Sequence, residues 1–370
     1  LRGDPGTTVI LSVLIDKAAQ SKLVTLKREI IVIPTVESAS LEGNFGYIKI
    51  RNFQDDTSQC LNEHLKRLKM STDKLKGLIV DLRNNSGGLL DQAIEVADKF
   101  LEIGDIVITV GPGGHPREVA EARKTDTDEA LYPMVVLVDA GSASGAEIVA
   151  GALKENNRAI IVGDRSFGKG SVQQLIELMD GSALKLTIAK YLTPLSTDIQ
   201  SVGITPDIKL LPVTVAKDNI NLFRGIVALR EEDLKQHLDE HRKDETPFAI
   251  LKYYLETKEK DKDKDKTEEP EEEAGDPYKL PDFNTDFHVI FAKKLLTKAT
   301  AWQRENFLQN SSPVLEETAR SEEKKIALAL QKLDIDWSAG TGTGTVKTNA
   351  SFSSNPINRR AKAGDKITLT

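Results

Sequence analysis

An α/β fold is predicted by one pattern that occurs twice and by a third strand end beside it. Gly77 to Leu82, Gly-Leu-Ile-Val-Asp-Leu, is a buried-strand run that stops in Arg83-Asn84-Asn85-Ser86-Gly87-Gly88 and passes into a helical pattern from Leu89 to Leu101. Pro133 to Val138 repeats it, stopping in Asp139-Ala140-Gly141-Ser142-Ala143-Ser144-Gly145 before a helical pattern with Ile148, Val149 and Leu153 on one side. A further short strand, Ala159 to Val162, leads into Phe167-Gly168-Lys169-Gly170. Continuous apolar runs are strands buried on both faces, and repeated strand–turn–helix units gather their loops at one end of the sheet.

Taken in order, residues 1–35 read as β structure, with runs from Thr8 to Leu14 and Val24 to Ile33 around a polar stretch, Asp16 to Ser21. A lone hairpin is marginal in water, so this piece is expected to be an edge addition or the closing part of another domain. Asn44 to Arg51 is a strand and Thr57 to Met70 an amphipathic helix. Gly111 to Tyr132 is polar and contains Gly and Pro, so a surface excursion is expected. Gln173 to Met179 and Ala183 to Lys190 flank Asp180-Gly181, a hairpin turn signal. The core is expected to span 36–212, closing near Pro212. Residues 213–335 read as a charged helical extension, with patterns such as Leu229, Leu234, Leu238 and Ile326, Leu330, Leu333. It is interrupted at 256–277 by a Lys/Asp/Glu run that cannot bury a core and should be a disordered spacer. Gly and Thr alternate within 336–348, a flexible joint. Residues 349–370 read as the start of a β domain that breaks off within a strand, and Leu1-Arg2-Gly3-Asp4 does not read as a natural beginning, so a piece of a longer protein is expected.

Composition narrows the function classes. The 370 residues are 39% hydrophobic and 29% charged, with a net charge of −7, which suits a large soluble core. No basic stripe interleaved with aromatics is present, so nucleic acid is not an expected partner. No apolar run approaches the ~18 residues of a membrane helix. Cys60 is the single cysteine, which excludes a disulfide framework and a thiolate zinc cluster within the chain. It lies among Leu61, Leu65 and Leu68 and reads as a small buried hydrophobe.

The chemistry-bearing residues cluster in the glycine turns. A serine hydroxyl becomes a nucleophile when a base takes its proton, and a lysine serves as that base when burial keeps its amine neutral. Lys169, between Gly168 and Gly170 and next to Phe167, fits that role. A phosphate-loop reading fails because Gly170, not Ser or Thr, follows Lys169. Composition does not separate Ser142 from Ser144. Backbone N–H groups at Gly87-Gly88 could stabilise an oxyanion, although a plain tight turn is the simpler reading. His64, His115, His237, His241 and His288 all lie outside the glycine turns, which disfavours a Ser-His-Asp arrangement and a histidine metal site.

Residues 43–208 resemble the carboxy-terminal processing, or tail-specific, proteases, a family of serine peptidases with a Ser/Lys dyad and a PDZ domain. The resemblance rests on Gly46-Tyr47-Ile48, on Asp81 to Leu90, on Gly141-Ser142-Ala143-Ser144 and on Ala150 to Lys154. Phe167-Gly168-Lys169-Gly170-Ser171-Val172-Gln173, Tyr191-Leu192-Thr193-Pro194 and Gly203 to Asp207 complete it. It implies the family's protease core, a crotonase-like fold, with Ser144 as nucleophile, Lys169 as base and Gln173 as the lysine's hydrogen-bonding support. The N–H groups of Gly88 and Gly145 would form the oxyanion hole. Gly145 stands where the family commonly has alanine, and Ser86 where it commonly has proline or glycine; Glu155 reads as a structural group. Residues 1–35 resemble the closing strands of the PDZ domain. The resemblance further implies protein or peptide substrates selected through accessible C-terminal tails and a bacterial extracytoplasmic, usually periplasmic, location. No metal, nucleotide or other cofactor is implied, and adaptor binding or self-association is left open. The rival expectation is a latent or inactive peptide-binding protein built on the same fold.

Overall fold

The computed structural model describes residues 3–14, 21–30, 34–71, 74–111, 113, 117–124, 131–216, 219–222, 229–234, 245–256 and 279–335. The expected joint at 336–348 and β segment at 349–370 lie outside them, as does nearly all of the expected spacer at 256–277.

The N-terminal runs pair with each other. β1 (Thr8–Val13) and β2 (Lys22–Lys27) form an antiparallel two-stranded sheet with Thr8 opposite Lys27. β3 (Val36–Leu41) then lies antiparallel to β4 (Phe45–Ile50), and α1 (Thr57–Met70) connects β4 to β5 (Gly77–Asp81). After α2 (Leu90–Asp98) come β6 (Asp105–Val110) and β7 (Arg117–Glu121), then β8 (Met134–Val138), α3 (Gly145–Glu155) and β9 (Ile160–Gly163). β4, β5, β8 and β9 lie side by side in parallel. Their alternation shows why the runs had to be apolar throughout. Leu78 and Val80 enter one core with the α1, α2 and α3 side chains, while Ile79 between them enters a second core on the opposite face. Met134, Val136 and Val138 follow the first, Val135 and Leu137 the second.

The sheet continues through the position expected to end the core. β12 (Ile208–Ala216) runs past Pro212, pairs with β9 and carries on to β13 (Asn219–Asn221) and, in parallel, β14 (Ala249–Tyr254). β14 falls in a stretch expected to be helical. Leu251 and Tyr253 turn into the second core while Ile250 stays exposed, so its period is two, and pairing with β12 decides the outcome. α4 (Phe287–Lys298) and α5 (Arg304–Asn310) supply Val289, Phe291, Leu295 and Phe307 to that same core. α6 (Ser312–Gln331) packs Ile326 and Leu330 on Val213 and Val215.

A four-stranded antiparallel sheet stands beside the main one in the order β10 (Ser171–Glu177), β11 (Ala183–Leu192), β6, β7. β7 lies within the expected surface excursion; its exposed Glu118 and Glu121 hid an edge strand that pairs antiparallel with β6 just before it in the chain.

Candidate active site

β5, β8 and β9 end on the same side of the sheet, so the turns after them meet. Asp139, the first residue beyond β8, joins two of these turns. Its Oδ1 accepts the N–H of Gly141 at 2.9 Å within its own turn and that of Asn84 at 2.9 Å in the turn after β5. Asn85 is fully buried and adds a second tie. Its Nδ2 donates to Ile50 O at 3.0 Å, its Oδ1 accepts Gly87 N–H at 2.8 Å, and its carbonyl accepts Ala143 N–H at 2.9 Å.

These ties separate the two serines. Ser142 has 0% exposure; its hydroxyl lies 2.8 Å from Leu82 O and accepts the N–H of Asp139 at 3.0 Å. That is a structural serine, consumed in holding two turns together. Ser144 is half-buried and sits at the tip with φ 53° and ψ −114°, a backbone conformation that non-glycine residues seldom adopt. Strain of this kind costs about 1–3 kcal/mol and persists where the surrounding structure enforces it. The turn delivers Ser144 directly into α3, a strand–turn–helix presentation suited to a nucleophile.

The glycines of the other turn are pressed against it. A Cβ on Gly87 would stand 2.8 Å from Ser144 Cβ and 2.9 Å from Gly145 N. A Cβ on Gly88, at φ 145°, would collide with Phe53 O at 2.1 Å, so neither position accepts a side chain in place. Phe53 fixes this turn through its N–H to Gly87 O at 3.0 Å and through its carbonyl, which accepts Leu89 N–H at 2.9 Å. Among the described residues, the N–H groups of Gly88 and Gly145 donate to no other protein group. A Cβ on Gly145 would meet the Phe53 ring at 3.0 Å and Ala93 Cβ at 3.3 Å, a tight fit that glycine avoids.

Sequence reasoning missed the residue that links the serine turn to the lysine loop. Glu147 is wholly buried in the first turn of α3. Its Oε2 accepts the N–H of Ser144 at 2.8 Å and of Lys169 at 2.9 Å; its Oε1 accepts Ser166 Oγ–H at 2.5 Å and Gly168 N–H at 2.7 Å. Burial pushes its carboxyl above the ordinary glutamate value, against the pull of those four hydrogen bonds. Ser144-x-x-Glu147 has the spacing of a helix capping box, the one signal that could have flagged it.

Lys169 lies half-buried in the loop after β9, and among the described residues no hydrogen bond joins it to Ser144 or to Gln173. Gln173 is exposed on β10, at the register shift between Val172 and Gln173. Glu155 accepts from Thr193 Oγ1 at 2.7 Å and Leu195 N–H at 2.7 Å, which ties the end of α3 to the turn after β11. Of the histidines, His64 bonds Ser38 Oγ at 2.7 Å and His288 packs against Tyr253; the other three lie outside the described residues.

A buried ionic cluster anchors the turn after β5 from below. Asp81 accepts from Tyr47 Oη at 2.7 Å, Lys49 Nζ at 3.1 Å and the Arg83 guanidinium, which reaches on to Asp286 at the N-cap of α4. Burial would raise the Asp81 carboxyl, but the Arg83 and Lys49 charges overcome it and hold it well below the usual carboxylate range.

With this geometry in hand, comparison with known proteins is direct. The model of peptidase family S41 matches residues 44–210. Over these residues the chain is similar to S41 peptidases. A carboxy-terminal-processing protease of Bartonella bacilliformis is 43% identical over 245 residues, 64% of this chain and 54% of that protein. The chloroplastic carboxyl-terminal-processing peptidase 2 of Arabidopsis thaliana is 37% identical over 226 residues, 59% of this chain and 43% of that protein. The chain thus spans about half the length of the curated relatives it matches. Among solved structures, the photosystem II D1 C-terminal processing protease is 31% identical with a TM-score of 0.45, covering 56% of each chain. The matched region ends within β12, so β13, β14 and α4 to α6 lie beyond it. Among the described residues no helix is long and apolar enough to cross a membrane, and no group of three His, Cys, Asp or Glu could hold a metal ion.

Proposed function

We propose that the protein is a serine-type endopeptidase of the carboxy-terminal processing class, acting through Ser144 and Lys169. The observation that carries the reading is the strained Ser144 turn, held beside the uncommitted N–H groups of Gly88 and Gly145 and tied by Glu147 to the lysine loop. Ser144 Oγ attacks the scissile carbonyl while the Lys169 amine takes its proton. Gly88 and Gly145 N–H groups receive the oxyanion as charge develops on it. Lys169 returns the proton to the leaving amine, and water releases the acyl group from Ser144. The dyad closes to hydrogen-bonding reach on substrate binding, since catalytic contacts commonly tighten only in the complex. Gln173 is assigned as the support of Lys169 on the strength of the family resemblance.

Substrates are proteins recognised through accessible C-terminal tails, and the β1–β2 sheet is read as the closing part of a PDZ domain that would receive them. The location that accompanies this class is bacterial and extracytoplasmic, most often the periplasm. The test is hydrolysis of an unstructured C-terminal peptide by wild type and Ser144→Ala. Loss of all turnover with an unchanged melting temperature is expected; turnover retained by the variant refutes the assignment.

A further inference from the structure

We infer that the segment 229–234, which lies outside the matched region, is a positioning strap for the lysine loop, and that Arg230 is its principal positioning residue. The inference rests on Lys169 being the catalytic base. The loop after β9 must hold its backbone in an irregular path, so each peptide group needs a partner other than a strand. Its inner side is satisfied from within the matched region. Phe167 N–H donates to Ser142 O at 2.9 Å, Gly168 and Lys169 N–H to Glu147, and Gly168 O accepts Ser201 N–H at 2.8 Å. Its outer side presents three consecutive carbonyls, those of Arg165, Ser166 and Phe167. All three are taken by the strap: Arg230 Nη1 donates to Arg165 O and, at 2.9 Å, to Ser166 O, and Glu231 N–H donates to Phe167 O at 3.1 Å.

The strap is tied down at both ends. Arg230 Nη2 pairs with Asp164 at 3.0 Å, the residue that leaves β9, and Glu232 pairs with Arg165. Gln200, which is buried, carries the contact to the far side of the lysine. Its Oε1 accepts Gly170 N–H at 2.9 Å and its Nε2 donates to Glu231 Oε1 at 3.1 Å. The loop that carries Lys169 is therefore held by Glu147 on its inner side and, through the residues flanking the lysine, by Arg230 and Glu231 on its outer side. The planar fork of arginine reaches two carbonyls and a carboxylate at once, which a lysine ammonium does not match.

The strap touches no reacting atom, so its effect is on the placement of the amine. Kinetic analysis of Arg230→Met and Arg230→Lys, made in the full-length protein, tests this. Arg230→Met should lower kcat by about 10- to 100-fold, the scale of a displaced catalytic group, with KM within about twofold. Arg230→Lys should recover part of kcat. A strap that merely stabilises the fold would lower the melting temperature and leave the kcat of the folded enzyme unchanged. That result, or a kcat for Arg230→Met within about twofold of wild type while Ser144→Ala is inactive, overturns the strap alone. An active Ser144→Ala overturns the strap together with the proposed chemistry.

Discussion

Replacing Glu147 by glutamine should separate stability from activity. The carboxylate accepts four hydrogen bonds, two on each oxygen, from groups in two different turns. An amide of the same shape keeps one accepting oxygen and turns an NH2 toward the other pair. Either the Ser144 and Lys169 N–H groups, or the Ser166 hydroxyl and the Gly168 N–H, lose their partner. Two charge-assisted hydrogen bonds amount to about 3–6 kcal/mol gross. Against this, the neutral side chain no longer bears the desolvation of a buried charge, itself several kcal/mol. Burial raises the carboxyl of Glu147 against the pull of its hydrogen bonds, so the two effects oppose and the net change in stability should be smaller than either alone. The sign depends on pH. A raised folded-state value means that the wild-type contribution is fully present below the unfolded glutamate value of ~4.3 and is lost as pH rises through the folded value. The variant has no such group, so it gains on wild type between acid and neutral pH. Urea unfolding at several pH values measures this, and peptide hydrolysis at the same pH values measures kcat, expected to fall by about 10- to 100-fold. A variant with wild-type kcat would refute the linking role of Glu147. A loss of activity that followed a large loss of stability would refute the separation.

Two other substitutions read the turns directly. Ser142→Ala removes the acceptor for Asp139 N–H and should cost about 1–3 kcal/mol by urea unfolding while the folded enzyme still turns over. Gly88→Ala places a methyl group against Phe53 O and should displace the proposed oxyanion donor, lowering kcat by about 100-fold or more in a peptide assay, with the larger share of the effect in kcat than in KM.

The strands and their turns were legible because β5, β8 and β9 are buried on both faces and so must be apolar throughout. The continuation beyond Pro212 was not. β14 is short, its outward-facing Ile250 blurs the alternation, and the pairing that makes it a strand lies with β12, some distance away in the sequence. The same reason hid the division of labour between the serines. Ser142 and Ser144 share one composition, and only the reach of Ser142 to Leu82 and Asp139 marks it as structural. The family resemblance chose Ser144 on motif grounds, and the positive φ at Ser144 offers an independent physical reason. Glu147 carried a readable local signal, the capping spacing, but its other three partners, on Ser166, Gly168 and Lys169, are brought to it by the fold. Arg230 carried none. It is one arginine in a charged stretch, and two backbone carbonyls and a carboxylate of a distant loop give it meaning.

The most direct measurement of the proposed chemistry is covalent trapping of the nucleophile. A serine-reactive fluorophosphonate applied to the protein with a bound substrate peptide being turned over, followed by peptide mapping, should place the label on Ser144 and leave Ser142 unmodified. Ser144→Ala should then take up no label. A label on any other residue, or labelling that survives Ser144→Ala, would contradict the account.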